Sequence, residues 1–336
     1  MMRGGRLISR TVAILAGVLV ALAAGAGPGR ADSPDADLLS RAVVRINATA
    51  LPDTQSARSL GTEREGTGVV IDSSGLILTI GYTILEAFEI QVTTGDGHGY
   101  PAELVAYDQA SGFGLLRAGL DFDAPPVRLG DSSLLKDGDP ALVLSRHGAQ
   151  GVQPVLVVSR REFAGYWEYL LDEAIFTTPP VRAFNGAALI DRNGHLVGIG
   201  SLIVADALPG RGLPGNMFVP VAALKPILAD LLAYGRRQEP ARPWLGVTLR
   251  EEQGRLLVER VTPQGPAEGA GLRPGDRIVG VGGQRFSGLA DFYRKLWGLG
   301  AAGVEVPLEL LRGAEAVPLT VPSGDRYRML KLNPTF

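Results

Sequence analysis

Residues 183–200, AFNGAALIDRNGHLVGIG, leave this chain few options. Residues 187–190 are apolar, Asp191-Arg192-Asn193-Gly194 is turn chemistry, and 195–199 form a second apolar run. Asn and Gly both tolerate positive φ, so an Asn-Gly between two such runs specifies a tight β-hairpin. The signature recurs at 66–72 (GTGVVID) and 76–79 (LILT), joined by Ser73-Ser74-Gly75. Further strands are expected at 42–46, 90–93 and 100–107, and residues 51–65 read as a polar loop. Residues 127–133, 137–145 and 152–159 are expected to continue the β-structure. With 45 glycines and 23 prolines spread along the chain, many short strands and turns imply a mainly β fold. One helix is expected at 221–235, where Leu224, Ile227, Leu228, Leu231 and Leu232 share a face and Gly235 can end it. Residues 236–243 (RRQEPARP) have linker composition, and Trp244 opens a second unit.

In this order the segments resemble trypsin-like serine proteases of the HtrA (Deg) type. That family's nucleophile hairpin reads G-N-S-G-G-P-L-V-N-x-x-G-x-V-I-G-I, which places Asn185 at the serine and Ala187-Ala188 at the following Gly-Pro. Its histidine segment, G-S-G-F-I-I-D-x-x-G-Y-I-L-T-N-x-H-V-V, places Tyr82 at the histidine. Its D-P-x-T-D-L-A-V-L-K segment matches residues 108–117 from either end, and the orienting aspartate falls on Gly112. Residues 215–220 (GNMFVP) match G-x-G-F-A-I-P, with Met217 and Phe218 expected at the wall and core of the former specificity pocket. From Trp244 onward, WLGV, Gly265-Pro266-Ala267, Ala270-Gly271-Leu272 and PGDRIV are similar to the PDZ domain that follows the protease in this family. The helix at 289–297 and the strand at 304–310 complete that unit. The resemblance covers about residues 44–324. It implies a trypsin-like double β-barrel at 32–235, a linker at 236–243, a PDZ domain at 244–324 and a C-terminal tail at 325–336.

Residues 1–31 have the layout of a cleaved secretory signal. Arg3, Arg6 and Arg10 precede an apolar run at 11–24, and Gly29-Arg30-Ala31 supplies small residues for cleavage. The run is short for a bilayer-spanning helix, although an uncleaved anchor is the competing reading. Removing the segment leaves 29 basic against 35 acidic residues and a net charge of −6, which argues against nucleic acid or an anionic membrane surface as partner. The absence of cysteine excludes disulfides and zinc-thiolate sites.

A trypsin-like hydrolase needs a nucleophilic serine, an imidazole base, a carboxylate to orient it and an oxyanion hole. Tyr82, Gly112 and Asn185 replace all three side chains, so the resemblance implies a degenerate protease with no catalytic residues. Tyrosine, with a reference pKa near 10, is a poor base at neutral pH. The chain has only His98, His147 and His195; the first and last are expected on surface turns. Ser145 with His147 is the alternative catalytic pair, though sequence neighbours rarely turn both side chains to one substrate. The histidines lack metal-ligand spacing, so no metal or cofactor is expected. Residues 210–215 match G-x-G-x-x-G formally, but Pro214 interrupts the run and a strand follows.

PDZ domains take a peptide as an added strand and catch its C-terminal carboxylate on loop N–H groups. By resemblance Leu245, Gly246 and Val247 form that loop, while Leu249, Phe292 and Leu296 line the groove or the core beneath it. Glycine at 246 lets a backbone approach closely. The implied role is non-catalytic: periplasmic binding of C-termini or extended segments of envelope proteins, as adaptor, chaperone-like holder or protease regulator. Other HtrA-type proteases are candidate partners, and the family's habit of trimerising makes a homo-oligomer an expectation. The alternative is a serine endopeptidase of periplasmic quality control that uses rearranged residues.

Overall fold

The structure, a computed structural model, describes residues 36–146 and 151–332. The signal reading at 1–31 and His147 lie outside the described residues. Six strands, β1 (Val43–Ala50), β2 (Glu63–Val70), β3 (Leu76–Ile80), β4 (Ala87–Thr93), β5 (Gly99–Tyr107) and β6 (Phe113–Ala118), close an antiparallel barrel in the order β1-β2-β3-β6-β5-β4. A second barrel follows the same plan with β7 (Pro140–Leu144), β8 (Val152–Gly165), β9 (Tyr169–Thr178), β10 (Ala188–Ile190), β11 (Leu196–Leu208) and β12 (Leu213–Pro220). Strand alternation sorts the apolar residues into layers. Val44, Ile46, Ile77 and Leu116 cluster together in the first barrel, and Val143, Val157, Leu189 and Phe218 in the second. Leu78, Phe113, Phe176, Ile190 and Val219, drawn from both barrels, share one further core. β3 serves both kinds of layer and is buried along its whole length, which is why its sequence, LILTI, is nearly unbroken apolar.

The opening hairpin forms as its turn chemistry predicts. Asp191 Oδ1 accepts from the N–H groups of Asn193 and His195, and Gly194 takes φ 80°. Three expectations fail locally, the first at 51–65, where the expected loop holds a helical turn, Ala57–Leu60, and the start of β2. Residues 127–133 contain no strand; Leu129 makes a single bridge to Leu196, and Ser132–Leu134 is a 3-10 turn. The helix expected at 221–235 is split into a 3-10 turn, Val221–Ala223, and a helix α1, Leu228–Tyr234. Pro226 lies between them; it has no N–H to donate and restricts the residue before it. The shortened helix buries Leu231 but leaves Leu232 exposed, so Leu232 is not part of the core face. Gly235 ends the helix in the left-handed conformation, its N–H donating to the Leu231 carbonyl.

The PDZ unit is a five-stranded antiparallel sheet of β13 (Val247–Glu252), β14 (Arg255–Val261), β15 (Arg277–Val281), β16 (Glu305–Arg312) and β17 (Glu315–Pro322), with helix α2 (Leu289–Trp297). Its core is separate, built from Leu245, Leu249, Val258, Ile278, Phe292, Leu296 and Leu308 among others. The segments on either side of it are anchored to the first barrel. Arg237 of the linker donates to both carboxylate oxygens of buried Asp108, at 2.8 and 2.7 Å. After β17 the chain returns, and the Lys331 N–H donates to Glu86 Oε1 at 2.8 Å.

Candidate functional site

Two places could carry function, and both are held closed by the chain's own atoms. The first lies between the barrels. Tyr82 follows β3 and Asn185 precedes β10, so the segments that the sequence placed in register meet in space. The Tyr82 hydroxyl lies 2.8 Å from the Ser201 carbonyl and 3.1 Å from Asn185 Oδ1, and its single proton serves that pair of acceptors. Burial pushes the Tyr82 phenol above its ordinary range, which removes it further from use as a base. The Asn185 carbonyl accepts from the Thr67 N–H at 2.8 Å, stapling the loop before β10 to the first barrel.

Gly112 completes the trio of family positions. Its N–H donates to the Asp108 carbonyl and its own carbonyl accepts from Gly81, each at 2.7 Å. At φ 81° it occupies backbone space that an L side chain adopts only with strain. A Cβ there would lie 3.2 Å from the Tyr169 hydroxyl, which itself donates to the Ser111 carbonyl at 2.5 Å. Tyr169 therefore stands where an orienting carboxylate would have to reach. An amide, a half-buried phenol and a glycine supply neither nucleophile nor base.

None of the other candidates assembles a catalytic set among the described residues. His98 pairs with Asp96 at 2.9 Å on an exposed turn, and His195 lies 3.7 Å from Asp191 beside the hairpin turn. Ser145 is buried, while its suggested partner His147 lies outside the described residues. No cluster of acidic and histidine residues suited to a metal occurs among the described residues. The glycine-rich run at 210–215 is an ordinary turn: Asp206 accepts from the N–H groups of Gly210, Arg211 and Gly212. Met217 and Phe218 are both fully buried.

The second place is the loop entering β13. The N–H groups of Leu245, Gly246 and Val247 converge on one carboxylate, at 2.8, 2.7 and 3.0 Å. That carboxylate is the side chain of Glu168, at the tip of the β8–β9 hairpin of the second barrel and only 3% exposed. Two residues further along β13, the Leu249 N–H donates to the Tyr166 carbonyl at 2.9 Å. On the other side Tyr293 of α2, fully buried, donates to the Gly165 carbonyl at 2.8 Å and accepts from the Glu168 N–H at 3.0 Å. Burial pushes the Glu168 carboxyl above its ordinary range; the three N–H groups and Arg326 pull it back without cancelling the shift.

The expected groove residues divide by this geometry. Leu245, Gly246 and Val247 present their N–H groups to a carboxylate, and Leu249 presents its N–H to the hairpin backbone. Phe292 and Leu296 are fully buried in the PDZ core. Gly246 has φ 81°, and a Cβ on it would come within 3.2 Å of the Trp244 ring and 3.3 Å of Thr262. A substitution there thus strains the domain as well as crowding the loop. Sequence reasoning passed over Tyr293 and Glu168. The available signal was compositional: Phe163, Tyr166, Trp167 and Tyr169 crowd one hairpin tip, where solvent-facing turns are ordinarily polar.

Comparison with known proteins gives the context of both places. The trypsin-like peptidase domain family matches residues 66–199, and the PDZ domain family matches residues 243–322. The chain is 26% identical over 273 residues to the periplasmic serine endoprotease DegP of Salmonella typhimurium, covering 76% of this chain and 56% of that protein. It is 29% identical over 273 residues to a do/HhoA-like periplasmic serine protease of Haemophilus influenzae, covering 75% of this chain and 56% of that protein. The chain thus spans little more than half the length of these relatives. Among solved structures, the HtrA-type protease AlgW with a tripeptide aligns over 89% of this chain and 96% of its own, with 22% identity and a TM-score of 0.52. A serine endoprotease from Yersinia pestis aligns over 86% of this chain and 96% of its own, with 22% identity and a TM-score of 0.51. The chain thus carries a trypsin-like peptidase domain followed by a PDZ domain, and the proteins it is similar to are periplasmic serine proteases and HtrA-type structures.

Proposed function

We propose that this chain is a non-catalytic HtrA-type protein that holds the C-termini or extended segments of envelope proteins through its PDZ domain, as adaptor, chaperone-like holder or protease regulator. The observation that carries this reading is the convergence of the Leu245, Gly246 and Val247 N–H groups on a carboxylate. A C-terminal carboxylate has the same chemistry, and an added strand along β13 is the matching peptide mode. The phenol–amide contact of Tyr82 with Asn185 supports the non-catalytic part. The periplasmic setting follows the named relatives. Pairing with other HtrA-type proteases and assembly into a homo-oligomer belong to the same reading.

The test has two arms. Purified protein should neither hydrolyse casein nor take up a fluorophosphonate label. It should also enrich short peptides with free C-termini over the same peptides amidated. Hydrolysis that disappears in Ser145→Ala would overturn the non-catalytic reading, and equal capture of free and amidated peptides would overturn carboxylate recognition.

A further inference from the structure

The PDZ carboxylate loop is not waiting empty in this chain. We propose that the β8–β9 hairpin tip is a built-in ligand: Glu168 occupies the carboxylate site of its own PDZ domain, and an external C-terminal segment binds by displacing it. This inference rests on the reading of the PDZ domain as a binder of C-termini.

Four observations carry it. First, the contact uses the three N–H groups that peptide capture requires. Second, the hairpin lies alongside β13: the Tyr166 carbonyl accepts from the Leu249 N–H, and two residues further on the Glu168 side chain meets the Val247 N–H, so the two segments run in opposite directions. Third, Glu168 sits at φ 60°, the left-handed conformation usual at the end of a three-residue hairpin loop, so the turn itself fixes the residue that reaches the PDZ loop. Fourth, Tyr293 clasps the same tip from α2, bonding both the Gly165 carbonyl and the Glu168 N–H.

The hairpin also ties the two closed places together. Tyr169, the next residue, reaches the Ser111 carbonyl beside Gly112. A closed state of this kind lowers the apparent affinity for outside peptides by the fraction of molecules that are open. Glu168 is an occupant that can be exchanged. Its charge is buried at a desolvation cost, whereas an incoming terminus brings an equivalent carboxylate and its own backbone to β13.

The test compares wild type with Glu168→Ala and Glu168→Gln, using pooled fluorescent peptides with free C-termini and the same pool amidated. Hydrogen exchange at the 245–247 amides is followed without peptide, and circular dichroism checks folding. Glu168→Ala should bind the free-acid pool about tenfold or more tighter than wild type, with Glu168→Gln between them and little binding of the amidated pool. The 245–247 amides should exchange slowly in wild type and quickly in Glu168→Ala. Equal binding and equal exchange in wild type and a folded Glu168→Ala would overturn the built-in ligand and leave the binding function standing. Fast exchange in Glu168→Ala with no binding of free-acid peptides would instead overturn capture of C-termini, and this proposal with it.

Discussion

The cleft between the barrels and the loop entering the PDZ sheet are both closed from within, but by different physical means. In the cleft the three positions that align with a catalytic triad hold Tyr82, Gly112 and Asn185. The Tyr82 hydroxyl lies against the Ser201 carbonyl and Asn185 Oδ1, Gly112 lacks a side chain, and Tyr169 lies beside it. In the PDZ loop three backbone N–H groups converge on a carboxylate, and that carboxylate belongs to the chain itself. Closure by substitution needs new side chains to reverse, whereas closure by occupancy needs only a competitor. The same contrast shows in packing. The cleft loop is locked against backbone, while the PDZ loop borders side chains that can move.

The largest expected effect separates the two regions by that packing. A Cβ at Gly186 would fall 2.0 Å from the Thr67 carbonyl oxygen, and backbone cannot step aside. Gly186→Ala should cost more than about 4 kcal/mol or prevent folding. Gly246→Ala meets only the Trp244 ring and Thr262, at 3.2 and 3.3 Å, and should cost about 1–2 kcal/mol for its left-handed backbone. Urea melts of the two variants measure the gap; similar losses would mean the two loops are equally rigid.

The next effect is expected at the joint between the regions. Asp108 lies next to the Gly112 turn and holds Arg237 of the linker. Burial pushes its carboxyl up, but the Arg237 guanidinium and Ser111 more than offset that, and it lies below its ordinary 3.8. The folded protein thus binds this proton less readily than the unfolded chain. Its contribution is fully present above the ordinary range and drains away as pH falls through the lowered folded value. Asp108→Asn should lose about 3 kcal/mol near neutral pH, since it leaves Arg237 half-buried without its charge partner. Melting temperatures of variant and wild type should converge as pH falls below the ordinary range. A constant gap across that range would show that the pair contributes shape rather than charge.

The smallest effect is the one expected to be nearly nil. Restoring Tyr82→His, Gly112→Asp and Asn185→Ser together should give weak casein hydrolysis at most. An aspartate at 112 would inherit φ 81° and the Tyr169 hydroxyl at 3.2 Å, so it starts out strained and misdirected. Robust hydrolysis would break the comparison, because the cleft would then be as recoverable as the PDZ loop.

Short-range chemistry was legible in the sequence alone. The Asn-Gly hairpin, the unbroken apolar β3, the turn at Gly235 and the family register that marks Tyr82, Gly112 and Asn185 all depend on neighbours a few residues apart. The same local reading overextended the 221–235 helix by following its apolar periodicity through Pro226. Only the tertiary structure decided what closes each site. Glu168 reaches N–H groups 77 to 79 residues away, Tyr169 reaches Ser111 across 58, and Tyr293 clasps a hairpin 125 or more residues earlier. No local pattern encodes those partners. A glutamate in a turn reads as a solvated charge until the packing of the PDZ unit, distant in sequence, removes the water and supplies three N–H groups in its place.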